Sequence, residues 1–439
     1  MKSESMIQPV TPTPSKTVFA WALNDWANHG FVTTVMAVFF PIFYEKFWRP
    51  DQDGIVTSST RTFELGLFNS LAGLIVALAA PALGAIADRG GAKKRFLLFF
   101  ACVGILGVSS LYFAGPGMYH VAGLGFMVAI IGYLAANIFS DSMLIDMSRG
   151  RSTDKVSALS FGMGYLGGGT MFAFNVLLTL KPELFGLPNA TAAVRASFLI
   201  VAVWWIIFMI PLILYVPESK AKQSVPIGTV IKEGLQQLAE TFHHVRRLKH
   251  VMWFLVAYWI YIDAVNTVVV MAVQFGQSLG FAQDTLTKAL LLVQFVGFPA
   301  AIIFGRIGHR IGSKKAILIG LVVYTLATIW GSRMRNEREF YGLAIAIALV
   351  MGGVQSLSRS YYAKLIPQDK ATEFFGFYNM LGRFATIVGP FLMGYTARIT
   401  GSDRAAILSL SVLFVLGAVL LAFVPSPPPE SSNGGIVSA

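Results

Sequence analysis

Cysteine and charge are what this sequence has least of. Its 439 residues include a single cysteine, Cys102, which excludes an internal disulfide and any zinc site built from several cysteines. Only 13% of the residues are charged, whereas a soluble domain carries about 25%. A mean hydropathy of +0.65 agrees with that shortage. The composition therefore predicts an integral membrane protein.

Motifs for enzymes and for ATP-driven pumps are also missing. The sequence contains no phosphate-binding GxxxxGK[ST] loop and no HExxH pair. The adjacent His243 and His244 would point to different helix faces, so they make a poor metal pair. We therefore predict no enzymatic activity, no metal site and no cofactor.

The apolar residues form long continuous runs, not the alternating pattern of a membrane β-barrel. Twelve runs are long enough to cross a membrane, which predicts an all-α protein with twelve transmembrane helices. An even number places both chain ends on one face. Most of the Lys and Arg residues outside the runs fall on that face, which predicts that it is cytosolic. The predicted spans, one to twelve, are 18–44, 64–87, 95–114, 119–144, 156–180, 194–216, 250–276, 286–304, 315–332, 339–363, 373–397 and 405–424.

A charged turn occurs twice, half a chain apart. It reads GAIADRGGAKK from residue 84 and GRIGHRIGSKK from residue 305, 221 positions later. The aligned identities are the glycines at 84/305 and 91/312, the arginines at 89/310, and the lysines at 93/314 and 94/315. This repetition predicts two six-helix halves of the same orientation that rock around a central cavity.

The predicted domains follow from this repeat. They are a disordered tail at 1–16, a six-helix bundle at 17–216, a cytosolic linker with an amphipathic helix at 217–249, a second bundle at 250–424 and a disordered tail at 425–439. The N-terminal tail lacks the short apolar core of a signal peptide, so no cleavage is predicted. The net charge of +12 is explained by membrane orientation, so no nucleic-acid partner is predicted.

Charged residues inside the spans are the candidate functional residues, because a charge buried in a membrane is costly. From the helical rise, Asp25 lies about 12 Å into span one, and Asp263 and Arg383 lie about 20 Å into spans seven and eleven. The repeat predicts that the two aspartates face each other across the cavity. The alternative is that a neighbour neutralises each aspartate and only holds helices together. Arg383 either binds an anionic group of the substrate or pairs permanently with an aspartate.

Aspartates on one wall and an arginine on the other suit a zwitterionic solute. The predicted substrate-binding residues are Asp25, Asn28, Asp263, Asn266, Tyr378, Asn379 and Arg383. The predicted proton-coupling residues are Asp25, His29, Asp141 and Asp263, with a plain hydrogen bond as the alternative for His29 and a solvated carboxylate for Asp141. The predicted gating residues are Gly84, Asp88, Arg89, Gly91, Lys93, Arg306, Arg310, Gln355 and Arg359.

Four stretches carry a family resemblance. The first turn, GAIADRGGAKK, resembles the signature loop of the major facilitator superfamily. Three further stretches resemble the vacuole-effluxer branch of that superfamily, which includes the vacuolar amino-acid exporter of fungal autophagy and many bacterial relatives. They are NDWANHGFVTTVMAVFFPIFY at 24–44, GGVQSLSRSYYAKLIP at 352–367 and EFFGFYNMLGRFATIVGP at 373–390. The resemblance implies a major facilitator fold and secondary transport by alternating access.

The sequence departs from the family pattern at a few positions. Asn24 stands where an aromatic residue is usual and His29 where a small one is usual, Asp141 and Ile145 replace an amide and a proline, and His309 stands where the first turn has Asp88. We predict a monomeric, proton-coupled exporter of an amino acid or similar zwitterion in the lipid bilayer of a bacterial inner membrane. The departures leave a siderophore or drug carrier open. A non-transporting sensor or scaffold that uses the linker is the alternative from a different class.

Overall fold

The structure is a computed structural model and describes residues 11–50, 58–218, 248–385 and 388–425. Nearly all of these residues are helical, because a backbone in lipid must satisfy its hydrogen bonds internally. Within these ranges, eleven helices are long and apolar enough to cross a membrane. A twelfth, interrupted helix completes the predicted set.

The helices follow the predicted order, with six in each half. In the first half, spans one to six are Ser15–Trp48, Ser58–Gly90, Lys93–Phe113, Tyr119–Ser142, Thr153–Leu180 and Ala190–Tyr215. In the second half, spans seven to ten are Lys249–Ser278, Gln283–Ile311, Ser313–Arg333 and Glu337–Leu365, and span twelve is Asp403–Phe423. Short helices at Leu144–Met147, Pro182–Phe185 and Gln368–Lys370 join some of the spans.

Span eleven is broken, although the sequence predicted one continuous run at 373–397. Its first half-helix is Ala371–Phe384 and its second half-helix is Val388–Thr400. Each piece is shorter than the roughly 20 residues that a membrane-crossing helix needs. The two pieces together therefore make the twelfth span.

Span one also departs from a plain α-helix. It is α-helical over Ser15–Gly30, then π-helical over Phe31–Phe39, and its last turn at Tyr44–Trp48 is π-helical as well. Widened helices of this kind are rare and occur often at functional sites. The first of them begins two residues after His29, so it directly follows the predicted polar residues of this span.

The repeat is visible in how each half ends. The Lys94 ammonium group donates to the carbonyl oxygen of Val216 at 2.7 Å, at the end of span six. Lys314 donates in the same way to Val424 at 2.6 Å, at the end of span twelve. The structural counterpart of Lys94 is therefore Lys314 and not Lys315. The prediction was wrong by one residue because the turn before span three is one residue longer than the turn before span nine.

The first and last described residues, 11 and 425, lie at the same face of the protein, which we call the terminal face. The backbone N–H of Thr13 donates to the carbonyl oxygen of Arg149 at 3.1 Å, and Arg151 donates to the carbonyl of Thr13 at 2.7 Å. At the other end of the chain, the Tyr361 hydroxyl donates to the carbonyl of Pro425 at 2.8 Å. The predicted disordered tail at 1–16 was thus too long. Most of the predicted linker helix, residues 219–247, lies outside the described residues.

Small residues let the two halves approach each other closely near the terminal face. A Cβ atom at Gly84 in span two would lie 2.8 Å from the carbonyl carbon of Thr372 in span eleven. A Cβ atom at Gly305 in span eight would lie 2.2 Å from the Cβ atom of Ala158 in span five. Such small-residue contacts are a general way to bring membrane helices together. The repeat therefore supplies two close helix contacts between the halves, one of span two with span eleven and one of span eight with span five.

Candidate functional site

Arg359 is the centre of the site. It lies near the terminal end of span ten, yet only 3% of the residue is exposed. Its Nη1 atom lies 2.8 Å from Oδ1 of Asp141 and 3.7 Å from Oδ2 of Asp25. Both aspartates belong to the first half, whereas Arg359 belongs to the second. This buried ion cluster therefore joins the two halves.

The rest of the Arg359 guanidinium group is enclosed by residues of spans one and five. Its Nε atom donates to Oγ of Ser157 at 3.0 Å, and its Nη2 atom donates to the carbonyl oxygen of Ser157, also at 3.0 Å. The ring centroids of Phe161 and Trp21 lie 4.5 Å and 5.5 Å from Cζ, which is within cation–π distance. The charge, the hydrogen bonds and the aromatic faces all come from the first half.

Asp25 is part of a wider polar layer in the first half. The Ser160 hydroxyl donates to its Oδ2 atom. Nδ1 of His29 lies 2.9 Å from the carbonyl oxygen of Asp25 and 3.1 Å from Oδ1 of Asn28. The Asn28 amide in turn donates to Oδ1 of Asn137 at 3.0 Å. The structure thus brings three predicted residues of span one together with Arg359.

Asp141 meets the second half through both of its oxygen atoms. Its Oδ1 atom accepts from Arg359 at 2.8 Å, and its Oδ2 atom accepts from the Asn379 amide at 2.9 Å. Its side chain is only 13% exposed, so the alternative of a solvated carboxylate was wrong. Asp141 and Asn379, predicted separately as proton-coupling and substrate-binding residues, are therefore direct partners.

Asp263 has a different role from Asp25. Its Oδ1 atom accepts from the backbone N–H of Gly389 at 2.7 Å, and its Oδ2 atom accepts from that of Val388 at 2.9 Å. These are the first N–H groups of the second half-helix, which have no partner within the helix. Asp263 thus caps the break in span eleven. The prediction that it faces Asp25 was wrong, and the alternative of a carboxylate that a neighbour satisfies fits the geometry.

Two other predicted residues lie beside this break. The Asn266 amide donates to the carbonyl oxygen of Ala385, where the first half-helix ends, at 3.3 Å. Arg383 belongs to the last turn of the first half-helix, but its side chain lies outside the described residues. Its pairing with an aspartate or with a substrate therefore stays a prediction.

Tyr378 and Gln355 complete the predicted site residues near the middle of the molecule. The Tyr378 ring is stacked between the rings of Tyr258 and Tyr362, with centroids at 4.3 Å and 4.8 Å. Gln355 accepts a hydrogen bond at 3.1 Å from the hydroxyl of Tyr165, which belongs to the other half. Tyr378 is therefore fixed within its own half, whereas Gln355 bridges the halves.

Asp88 closes the terminal face on one side. It accepts from the backbone N–H and the hydroxyl of Thr372 at 2.8 Å and 2.7 Å, and from the N–H of Glu373 at 3.2 Å. The Lys93 ammonium group lies 3.3 Å from the same carboxylate. The contact joins the first repeated turn to the start of span eleven.

Asp154 closes the terminal face on the other side, and sequence reasoning missed it. It is only 2% exposed and accepts from Lys364 at 2.8 Å, from Ser313 at 2.8 Å and from the Ser360 hydroxyl. It was missed because charged residues at span ends usually meet water. One signal was available, since Asp154 occupies in span five the place that Glu373 occupies in span eleven.

The remaining predicted gating residues lie on the repeated turns. Gly91 has a positive φ of 60°, which favours glycine at this turn. Arg306 and Arg310 are exposed, and the side chain of Arg89 lies outside the described residues. In the described part of the chain, no cluster of three or more His, Cys, Asp or Glu residues could hold a metal ion.

Comparison with known proteins identifies the family. A family model described as "Vacuole effluxer Atg22 like" matches residues 53–427. The chain belongs to this Atg22-like family. It is 36% identical over 407 residues to the uncharacterized MFS-type transporter YxiO of Bacillus subtilis (strain 168), covering 92% of this chain and 94% of YxiO. It is 23% identical to autophagy-related protein 22 of Eremothecium gossypii, covering 92% of this chain and 90% of that protein.

The fold agrees with this membership. The structure is similar to the crystal structure of the human organic anion transporter MFSD10 (TETRAN), with a TM-score of 0.71 at 16% identity, covering 94% of this chain and 100% of that chain. The predicted major facilitator fold, with twelve helices in two repeats, is confirmed. This Atg22-like protein is therefore an integral membrane protein and an MFS-type transporter.

Proposed function

We propose that this Atg22-like protein is a proton-coupled secondary active transporter that exports a small organic solute, an amino acid or similar zwitterion. The supporting observation is the buried cluster in which Arg359 of the second half lies against Asp25 and Asp141 of the first. In alternating access the two halves rock against each other, so contacts between them must break and form again in every cycle. A substrate or a proton that changes the strength of this cluster changes the balance between the two conformations.

The chemistry of the cluster supports exchange of a solute for a proton. When Asp25 or Asp141 takes up a proton, it loses its charge and holds Arg359 less strongly. A zwitterion can take the place of either partner in the cluster. Its ammonium group can bind an aspartate in place of Arg359, and its carboxylate can bind the fork of Arg359 in place of an aspartate. Proton and solute thus compete for the same aspartates. Asn28 and His29 in the polar layer, and Asn379 beside Asp141, would supply further hydrogen bonds.

The direction of transport rests on the orientation of the terminal face. We place this face in the cytosol, in a bacterial inner membrane, because most Lys and Arg residues outside the spans lie on it. Loading then takes place when the Asp88 and Asp154 contacts are open, and their closure commits the solute to the other side. A sensor function would rest on the linker, most of which lies outside the described residues.

Transport by the purified protein in proteoliposomes tests this proposal. We expect exchange of a mixture of radiolabelled amino acids to depend on a pH gradient, and to fall at least tenfold in Asp141→Asn and in Arg359→Gln. Asp284→Asn is the matched control, because Asp284 is exposed in an isolated pair with Lys288. It should transport like the wild type.

Two results would contradict the proposal. One is normal, pH-driven transport in both cluster variants. The other is the absence of any amino-acid flux in wild-type protein that elutes as a folded, monodisperse species. A flux that ignores the pH gradient but falls in both variants would remove proton coupling and keep the solute site.

A further inference from the structure

The pocket that holds the Arg359 guanidinium group is built entirely by the first half. We call it the arginine box, formed by Trp21, Asp25, Asp141, Ser157 and Phe161. The two aspartates supply charge, Ser157 supplies two acceptor oxygen atoms, and the rings cover the guanidinium group. The occupant belongs to the second half. Arg359 is therefore a guest from the second half in a site that residues of the first half build.

In the alternating access proposed above, the arginine box loses this guest whenever the terminal face opens. Opening separates span ten from spans one, four and five, and it withdraws Arg359 with span ten. Asp25 and Asp141 then line the opened cavity without the cation that both contact in the closed form. Two neighbouring carboxylates repel each other, so the open form favours a proton or another cation in the box.

The geometry of the box selects the kind of cation. Nη1 is directed to a carboxylate, whereas Nε and Nη2 both donate to Ser157 at 3.0 Å, so the donors of a planar fork are matched. The aromatic rings at 4.5 Å and 5.5 Å add cation–π attraction. A compact ammonium group would leave some of these acceptors unused.

We propose that, with the terminal face open, the arginine box binds the guanidinium group of the transported solute, and that Arg359 displaces this group as the face closes. The inference rests on the proposed transport function and narrows its substrate to guanidinium compounds. It also gives closure a direct effect on release, because the transporter's own arginine competes for the site. A solute that enters from the terminal face is thereby driven from the box toward the other side.

Binding to the full-length protein in lipid nanodiscs tests the inference. The probes are agmatine and its isostere N-carbamoylputrescine, in which a neutral urea group replaces the guanidinium group and the ammonium group is kept. Binding is measured by titration calorimetry at constant ionic strength. In Arg359→Ala the guest is missing, so we expect agmatine to bind at least tenfold more tightly than in the wild type. N-carbamoylputrescine should bind neither protein. Arg359→Lys, which keeps a cation in the box, should bind agmatine no better than the wild type.

A second substitution tests the box itself. Adding Asp141→Asn to Arg359→Ala should remove most of the gained agmatine affinity, because it removes a carboxylate that the guest needs. Equal agmatine affinity in Arg359→Ala and the wild type, in protein that elutes as a folded species, would overturn the inference. So would equal binding of the two probes. If amino-acid exchange still depends on Asp141 in that case, the proposed function stands and only the guanidinium site falls.

Discussion

The two repeats close the terminal face at equivalent places, but the acid lies on different partners of the two contacts. In the first repeat, the end of span two carries Asp88, which accepts from the start of span eleven. In the second repeat, the end of span eight carries His309, and the acid is Asp154 at the start of span five, paired with Lys364. The fold thus repeats the position of the contact but not the span that carries the acid. In both contacts, and in the Arg359 cluster, the acid comes from the first half.

This difference has an energetic consequence. Asp88 accepts mainly from backbone N–H groups at a helix start, which remain in place whatever the side chain is. Asp154 neutralises the buried Lys364, whose side chain is 9% exposed. The Lys93 side chain beside Asp88 is equally buried, but Lys93 also lies 3.7 Å from Asp146, which stays in place when Asp88 is changed. Removing one member of a buried pair leaves an uncompensated charge, which costs more than losing a hydrogen bond. The second contact should therefore be the more sensitive of the two.

The largest effect is expected for Asp154→Asn, which removes the carboxylate that accepts from the buried Lys364. We expect closure of the terminal face to lose about 3–5 kcal/mol. The measurement is labelling of a cysteine at position 356, in a Cys102→Ser background, by a water-soluble maleimide. Ser356 is fully buried between the halves, so labelling reports opening. The double variant Asp154→Asn/Lys364→Met should label more slowly than the single one, and equal rates would refute the ion-pair explanation.

A smaller effect is expected for Asp88→Asn in the same labelling assay. Asparagine keeps one acceptor oxygen for Thr372 but loses the charge, so closure should lose about 1.5–3 kcal/mol. His309→Ala, on the equivalent turn, is the matched control and should label like the parent because His309 is exposed. If Asp88→Asn opens the face more than Asp154→Asn does, the contrast between the two repeats is wrong.

The smallest effect concerns the feature that the repeats share. Lys94→Met and Lys314→Met each remove an ammonium group that holds the last carbonyl oxygens of a span. We expect each substitution to lower the free energy of unfolding by about 0.5–1.5 kcal/mol. Thermal unfolding in detergent is the measurement that checks this. Lys315→Met should change little. A loss in Lys315→Met and none in Lys314→Met would restore the register that the sequence predicted.

The sequence was sufficient for the architecture. Long apolar runs predicted the twelve spans, and the repeated turn predicted two equivalent halves, because both signals depend on composition along one chain segment. The family followed from the motifs around Asn24, Gly84, Gly352 and Glu373. Asp25 was also singled out, since a charge within an apolar run needs a reason, and Arg359 was predicted as a gating residue.

Partners across helices were beyond the sequence. Spacing along a helix gives the depth of Asp25 but not the helix that lies opposite, so its contact with Arg359 could not be read. Repeat symmetry paired Asp263 with Asp25, but in the structure Asp263 caps the second half-helix of span eleven. That break was hidden because Ala385, at which the first half-helix ends, does not interrupt the apolar run.

Because of its break, span eleven consists of two helical pieces and not of one rigid helix. Its terminal piece, which meets Asp88, ends at Phe384, and its outer piece begins at Val388. Among the described residues, the carboxylate of Asp263 in span seven accepts from the first two N–H groups of the outer piece. We expect movement of the outer piece to be transmitted to span seven through this carboxylate. Substitution of Asp263 should make opening of the terminal face less tightly coupled to closing of the opposite face. It should leave the Asp88 and Asp154 contacts in place.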